Sequence, residues 1–372
     1  MKLTIERAAL LKTLAHVQSV VERRNTIPIL SNVLMDAGKG ALALTATDMD
    51  LTIVDTVTAE VATAGATTAP AHTLYDIVRK LPEGAQVEIG TSDDGAQLTV
   101  KAGRSVFTLA TLPKEDFPTM GVVDLPHDFR LASPDLRNLI DRTRFAISTE
   151  ETRYYLNGIY VHAGKTDGVP CLRAVATDGH RLARFEMPLP DGASDVPGVI
   201  IPRKAVAELR KLIEETEDPV SVSLSDTKVR FAFGSTVLTS KLIDGTFPDY
   251  ERVIPEGNDK VIEVDCRLFA QAVDRVSTIS SEKSRAVKLV IENGGITLSA
   301  SSPENGTATE EVEISYSGPS VEIGFNSRYL LDIAQQIEGE AAEITLADAA
   351  SPTIVRDRAD PSALYVLMPM RV

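Results

Sequence analysis

The sequence predicts an α+β protein built from three copies of one unit, each holding two helices and several antiparallel strands. Three observations carry this. A first helix recurs at long, nearly constant offsets, since Leu10 to Leu136 is 126 residues and Leu136 to Phe269 is 133. A second helix recurs later in each third. The segments between them alternate apolar and polar residues with the period of a strand. Long periods of this kind mark repeated domains, whereas solenoid periods of roughly 20–50 residues are absent.

Each element has its own local grounds. Lys2-Leu3-Thr4-Ile5, Phe129-Arg130-Leu131 and Val261-Ile262-Glu263-Val264 read as the strands that open the thirds. Behind them Leu10, Leu14, Val17 and Val21, then Leu136 and Ile140, then Phe269, Val273 and Val276 fall at helical spacing on one face. Ser133-Pro134 opens the second of these with a cap residue and a proline at the first helical position. The later helices carry Leu74, Ile77, Val78 and Leu81; Val206, Leu209 and Ile213 after Pro202; and Leu330, Ile333, Ala334 and Ile337. Val220–Leu224 and 229–233 alternate with period two about a turn at Asp226, and 42–45 and 295–298 behave likewise. Pro-, Gly- and acid-rich stretches near 121–126 and 255–259 read as linkers. They divide the chain into domains 1–123, 127–255 and 259–372.

Composition narrows the function classes. The 372 residues are 43% apolar and 24% charged, ordinary for a globular protein. There is no run of 18 apolar residues, and charges occupy the N-terminus where a signal peptide needs an apolar core. Cytoplasmic residence is expected. Cys171 and Cys266 lie far apart and read as inert core thiols. The net charge of −15 argues against nucleic acid when taken alone. Its distribution argues otherwise. The helical stretches 6–24, 71–81, 133–148, 202–215, 266–285 and 326–339 hold eighteen Lys and Arg against twelve Asp and Glu. A chain that is acidic overall and basic on one recurrent element can present one face to phosphates.

Catalytic motifs fail on inspection. Gly164-Lys165-Thr166 lacks the glycine a phosphate loop requires at 159, where Ile159 stands, and reads as a hairpin turn. Ser280-Ser281-Glu282-Lys283 matches a four-residue nucleophile pattern at the end of a predicted helix, a match common by chance. His180 beside Asp178 has no paired nucleophile, and the residues favour a structural turn histidine. No two of the five histidines stand at i, i+4, so no metal site is indicated. Two other readings stay open on the residues alone. One is an enzyme with an inter-repeat cleft using His180 and Asp178. The other is a repeat scaffold that binds only proteins.

The stretch Ala176-Thr177-Asp178-Gly179-His180-Arg181-Leu182-Ala183 resembles the signature of the bacterial β sliding clamps, the processivity subunit of DNA polymerase III. Thr26-Ile27-Pro28-Ile29-Leu30, Arg153-Tyr154-Tyr155-Leu156-Asn157-Gly158, Ile201-Pro202-Arg203-Lys204, Phe247-Pro248-Asp249-Tyr250 and Val366-Leu367-Met368-Pro369-Met370-Arg371 agree with it, in order and over the whole chain. Three positions depart from the family pattern. Ser284 stands where an aromatic is frequent, Glu251 where a basic residue is frequent, and Val372 where leucine is commoner.

The resemblance implies the DNA-clamp fold, with two chains forming a six-domain dimeric ring. It implies a protein that encircles double-stranded DNA without sequence preference and tethers polymerase subunits and the clamp loader through short linear peptides. It implies no catalysis, cofactor or metal. Arg24, Tyr154, Tyr155, Arg203 and Lys204 are the implied DNA contacts, with Arg137, Arg142 and Lys211 added from charge position alone. The implied partner-peptide groove comprises Leu156, Thr177, Gly179, His180, Arg181, Leu182, Pro248, Arg252, Val253, Asn326, Tyr329, Met368, Pro369, Met370 and Arg371. Flexible thioethers at Met368 and Met370 suit a surface that accommodates several ligands. Phe107 and Leu109 on one side, and Thr278 and Ile279 on the other, are the implied dimer contacts.

Overall fold

The computed structural model describes residues 1–121, 124–214, 216–281 and 285–371. Ser284, Val372 and the second half of the Ser280–Lys283 motif therefore lie outside the described residues. Six α-helices occur among those described, two in each predicted domain: α1 Arg7–Gln18, α2 Ala71–Lys80, α3 Ser133–Asp141, α4 Arg203–Leu212, α5 Cys266–Ser277 and α6 Ser327–Ala334. None is long and apolar enough to cross a membrane.

The chain packs into two compact units. The first comprises Met1–Pro134, Pro190–Pro197 and Lys204–Leu242. It holds a five-stranded sheet in the order Glu60–Thr63, Lys2–Glu6, Gln86–Thr91, Gln97–Ala102, Ser105–Ala110. It also holds an eight-stranded sheet ordered His127–Leu131, Val220–Leu224, Lys228–Phe233, Thr236–Lys241, Leu51–Thr58, Ala41–Thr47, Asn32–Gly38, Gly65–Pro70. Helices α1 and α2 pack on each other in this unit, burying Leu10, Leu14 and Val17 from one and Leu74 and Val78 from the other.

The second unit comprises Asp135–Leu189, Gly198–Arg203 and Ile243–Val372. Its eight-stranded sheet runs Val199–Pro202, Gly158–Thr166, Val169–Thr177, Arg181–Pro188, Ala363–Leu367, Thr353–Asp357, Ala341–Leu346, Lys260–Asp265. A four-stranded sheet runs Gly306–Glu313, Gly295–Ser302, Ala286–Glu292, Val321–Asn326. Here α5 packs on α6.

The middle third of the sequence thus lends four strands to each eight-stranded sheet. The joins are ordinary antiparallel ladders, Leu238 opposite Ile53 in one and Ala183 opposite Tyr365 in the other. Pairing the last strand of one repeat with a strand of the preceding one satisfies backbone groups that two separate sheets would leave open at their edges.

Local chemistry sets the helix ends. Glu6, Asp265 and Asn326 cap α1, α5 and α6, each side chain accepting from a backbone N–H two or three residues on. Several helices are shorter than periodicity suggests. Val21 is buried but lies beyond the end of α1, and Ile337 lies beyond α6. Leu81 is extended because it precedes Pro82, whose ring disfavours a helical conformation there. The hairpin turn expected at 164–166 sits instead at Asp167-Gly168. Both have positive φ, Thr166 pairs with Val169, and the two-residue Asp-Gly turn leaves 164–166 in the strand. Cys171 and Cys266 are buried free thiols, as expected. Burial pushes the Cys266 thiol up to about 11, with Asp357 and Asp265 adding to it, so it is protonated at neutral pH.

Candidate functional site

In the second unit, the signature stretch forms a tight turn between two strands. The Asp178 carboxylate accepts from the backbone N–H of His180 (2.9 Å) and Arg181 (3.0 Å). The Thr177 hydroxyl accepts from the Gly179 N–H (3.1 Å) and donates to the Arg181 carbonyl (2.7 Å). Gly179 has a φ of +89°, and a Cβ there would meet the Arg153 guanidinium at 2.5 Å. The positive φ is what favours glycine here, since the Arg153 guanidinium is the end of a flexible side chain and can move aside.

Arg181 is 9% exposed and fully engaged. Its Nη1 reaches Asp332 at 2.5 Å, its Nε Asp178 at 3.2 Å, and its Nη2 donates to the Phe145 carbonyl at 2.7 Å. The guanidinium lies 4.3 Å from the centre of the Tyr329 ring and 5.2 Å from that of Phe145. Arg181 therefore fixes a wall. The solvent-facing surface of that wall is the exposed His180 ring, stacked on half-buried Tyr329 at 6.3 Å. Asp178 spends its carboxylate on the turn backbone and on Arg181, so no Asp178–His180 acid/base pair forms. This removes the enzymatic alternative's central feature.

The floor of the site is one apolar cluster. Leu156 and Leu182 pack with Val175, Phe247, Tyr250, Ile354 and Val366. Pro248, Arg252 and Val253 are exposed on the segment that Phe247 and Tyr250 anchor. The C-terminal tail closes one side. The Met368 N–H donates to the His180 carbonyl, and the Met370 N–H to the Gly324 carbonyl, both at 2.9 Å. Met368 is exposed, Pro369 and Met370 half-buried, and Arg371 exposed. Asn326 spends its side-chain oxygen capping α6, whose first turn carries Tyr329. Sequence reading missed Arg153, Phe145 and Asp332. Arg181 and Asp332 are 151 residues apart, and no local pattern pairs them.

The basic candidates divide between the units. In the first, Arg24 is exposed, and Lys204 Nζ lies 2.5 Å from Asp48 and 3.2 Å from Glu22. Burial pulls the Lys204 ammonium down, and those carboxylates more than offset it, holding it above the usual lysine range. Lys211 reaches Glu208 at 2.8 Å. In the second, Arg203 and Tyr154 are exposed, Arg137 and Tyr155 half-buried, and the two tyrosine rings meet edge to face at 5.8 Å. Arg142 corrects the expectation drawn from charge position. It is 6% exposed, with Nη2 3.1 Å from Glu338 and 3.9 Å from Asp360, so its guanidinium is committed to carboxylates in the fold and does not face phosphates. The six helices as folded carry twelve Lys and Arg against six Asp and Glu, a basic surplus in a chain of net charge −15.

Phe107 and Leu109 are half-buried on Ser105–Ala110, an edge strand of the first unit's five-stranded sheet. In the second unit Thr278 is exposed and Ile279 half-buried just past α5, and Gly306–Glu313 is the edge strand of the four-stranded sheet.

Family models for the N-terminal, central and C-terminal domains of the DNA polymerase III beta subunit match residues 1–121, 130–249 and 251–371. The chain is 59% identical to the beta sliding clamp of Caulobacter vibrioides, with all of both chains covered. It is similar to a crystal structure of the Caulobacter crescentus beta sliding clamp with polyethylene glycol bound, at 59% identity and a TM-score of 0.98, covering 100% of this chain and 99% of that one. It is also similar to a sliding clamp from Bartonella birtlesii bound to griselimycin, at 51% identity and a TM-score of 0.97, with both chains fully covered.

Proposed function

Because the chain belongs to the β subunit family of DNA polymerase III, the β sliding clamps, we propose that it encircles duplex DNA and tethers the replicative polymerase and other DNA-processing proteins to it, without catalytic chemistry of its own. The observation that carries this is the match of all three domain models, in order, along the whole chain. Domains 1–123, 127–255 and 259–372 form half of a six-domain ring, and a head-to-tail homodimer completes it. Phe107 and Leu109 of one protomer face Thr278 and Ile279 of its partner, and closure covers the two open edge strands. Work on the chromosome places the protein in the bacterial cytoplasm.

Retention is topological. A closed ring leaves a long duplex only by opening, so phosphate contacts can stay weak and sequence-blind, which permits sliding. Arg24, Tyr154, Tyr155 and Arg203 supply such contacts. Lys204 and Lys211 supply weaker ones, because carboxylates already partner both. The residues from Leu156 to Arg371 gathered around the signature turn form the groove for short peptides of polymerase subunits and the clamp loader. We assign to the same groove griselimycin, which the Bartonella birtlesii clamp binds.

Loading the purified dimer onto nicked circular DNA and onto the same DNA linearised tests this reading. The loaded protein should stay on the circle through gel filtration at about 0.2 M salt and run off the linear form. Equal loss from both, or a strong preference for one sequence, contradicts it. Direct binding without loading should be weak and fall steeply with salt.

A further inference from the structure

Arg252 and Val253 reach solvent from a single 3-10 turn, Tyr250–Val253. One buried side chain anchors the first two residues of that turn. Arg173, with 8% of its side chain exposed, donates from Nη1 to the Tyr250 hydroxyl (3.3 Å) and to the Glu251 carboxylate (2.5 Å). Its Nη2 donates to the Lys165 carbonyl (2.8 Å) and the Thr166 hydroxyl (3.0 Å). Its Nε lies 2.8 Å from the Glu186 carboxylate, aligned as an ion pair and not as a hydrogen bond. Successive side chains of a 3-10 turn point about 120° apart, so holding two neighbours fixes both the depth and the rotation of the turn. Tyr250, buried in the apolar cluster, sets the depth. Glu251, 61% exposed, sets the rotation.

Charge balance explains why an acid stands at 251. Glu186 faces two guanidiniums, Arg173 at 2.8 Å and Arg184 at 3.1 Å. Both are largely shielded from water, and one carboxylate against two cations leaves a buried positive charge unmatched. Glu251 supplies the second carboxylate. Beyond these anchors the Arg252 side chain is 84% exposed, restrained by Asp249 at 2.7 Å.

We propose that the Arg173–Glu251 pair sets the position of the turn bearing Arg252 and Val253, and so tunes how tightly the groove holds its ligands. Arg173 and Glu251 are positioning residues. The proposal rests on the groove assignment above.

Calorimetric titration of the full-length dimer with griselimycin tests it. Glu251→Ala should raise Kd about fivefold and Glu251→Lys tenfold or more, while Glu251→Gln, which keeps an acceptor, should cost about twofold. All three should keep the dimer, but Glu251→Ala and Glu251→Lys, which leave the Arg173 charge short of a carboxylate, should melt a few degrees below the unaltered protein, and Glu251→Gln less so. In a background with both Arg252→Ala and Val253→Ala the effect of Glu251→Ala should largely vanish, because residues acting through one turn are not additive. Unchanged affinity in Glu251→Ala overturns the proposal. So does an equally large effect in the background lacking both the Arg252 and Val253 side chains, which marks a charge acting at a distance. Failure of the unaltered protein to bind griselimycin overturns the groove assignment itself, and this proposal with it.

Discussion

Asp55 shows how one buried carboxylate ties distant parts of a unit together. One oxygen lies 2.6 Å from His16 Nδ1 on α1, and the other accepts from the hydroxyls of Ser235 (2.8 Å) and Thr236 (3.1 Å), 180 and 181 residues away. Burial pushes the carboxyl up, and the bonds from His16, Ser235 and Thr236 outweigh it, so its pKa falls below the usual aspartate value. A group whose folded pKa is depressed contributes stability above its unfolded pKa, near 3.9, and loses it as pH falls through the folded value. Asp55→Asn should therefore cost about 2 kcal/mol at pH 7, read from urea unfolding. The difference from the unaltered protein should shrink at pH 3. A difference that grows on acidification contradicts this account.

Among the elements, the C-terminal tail carries most for its size. It continues the strand Ala363–Leu367 and spends two backbone N–H groups, of Met368 and Met370, on the His180 turn and on the strand Val321–Asn326. These bonds fix the backbone of both methionines, Met368 against the turn that carries His180 and Met370 against the strand that leads into α6. Deleting 368–372 should abolish binding of polymerase peptides and griselimycin and leave the dimer intact, measured by titration and by sedimentation. Equal affinity of truncated and full-length protein for a polymerase peptide refutes the groove assignment. The deletion removes no member of the apolar cluster, so the fold should survive with a melting temperature lower by only a few degrees.

For the whole molecule, assembly decides function. The strands Ser105–Ala110 and Gly306–Glu313 are each paired on one side only, and open edges of this kind invite association. Ile279 is half-buried in the single chain, and the proposed head-to-tail contact sets it against the partner. Ile279→Asp puts an unpaired charge into that contact, at a cost of several kcal/mol. The expected product is a folded monomer in sedimentation that no longer stays on circular DNA. A dimer that persists unchanged at micromolar concentration contradicts the head-to-tail interface.

Periodicity and motif order make the threefold unit, the two helices in each third and the turn at Thr177–Arg181 legible in the sequence. These features depend on residues within a few positions of one another, and local patterning encodes such neighbours directly. Tertiary structure alone decided the rest. It joined the middle third to both neighbours through Leu238 opposite Ile53 and Ala183 opposite Tyr365. It buried Arg142 against Glu338 and Asp360, although its charge suggested a phosphate contact. It paired Arg181 with Asp332 and gave Glu251 its partner in Arg173, 78 residues upstream. Which of many compatible strands and charges meet is settled by competition across the whole chain, where burial makes an unpaired edge or ion costly, and no short stretch of sequence contains that comparison.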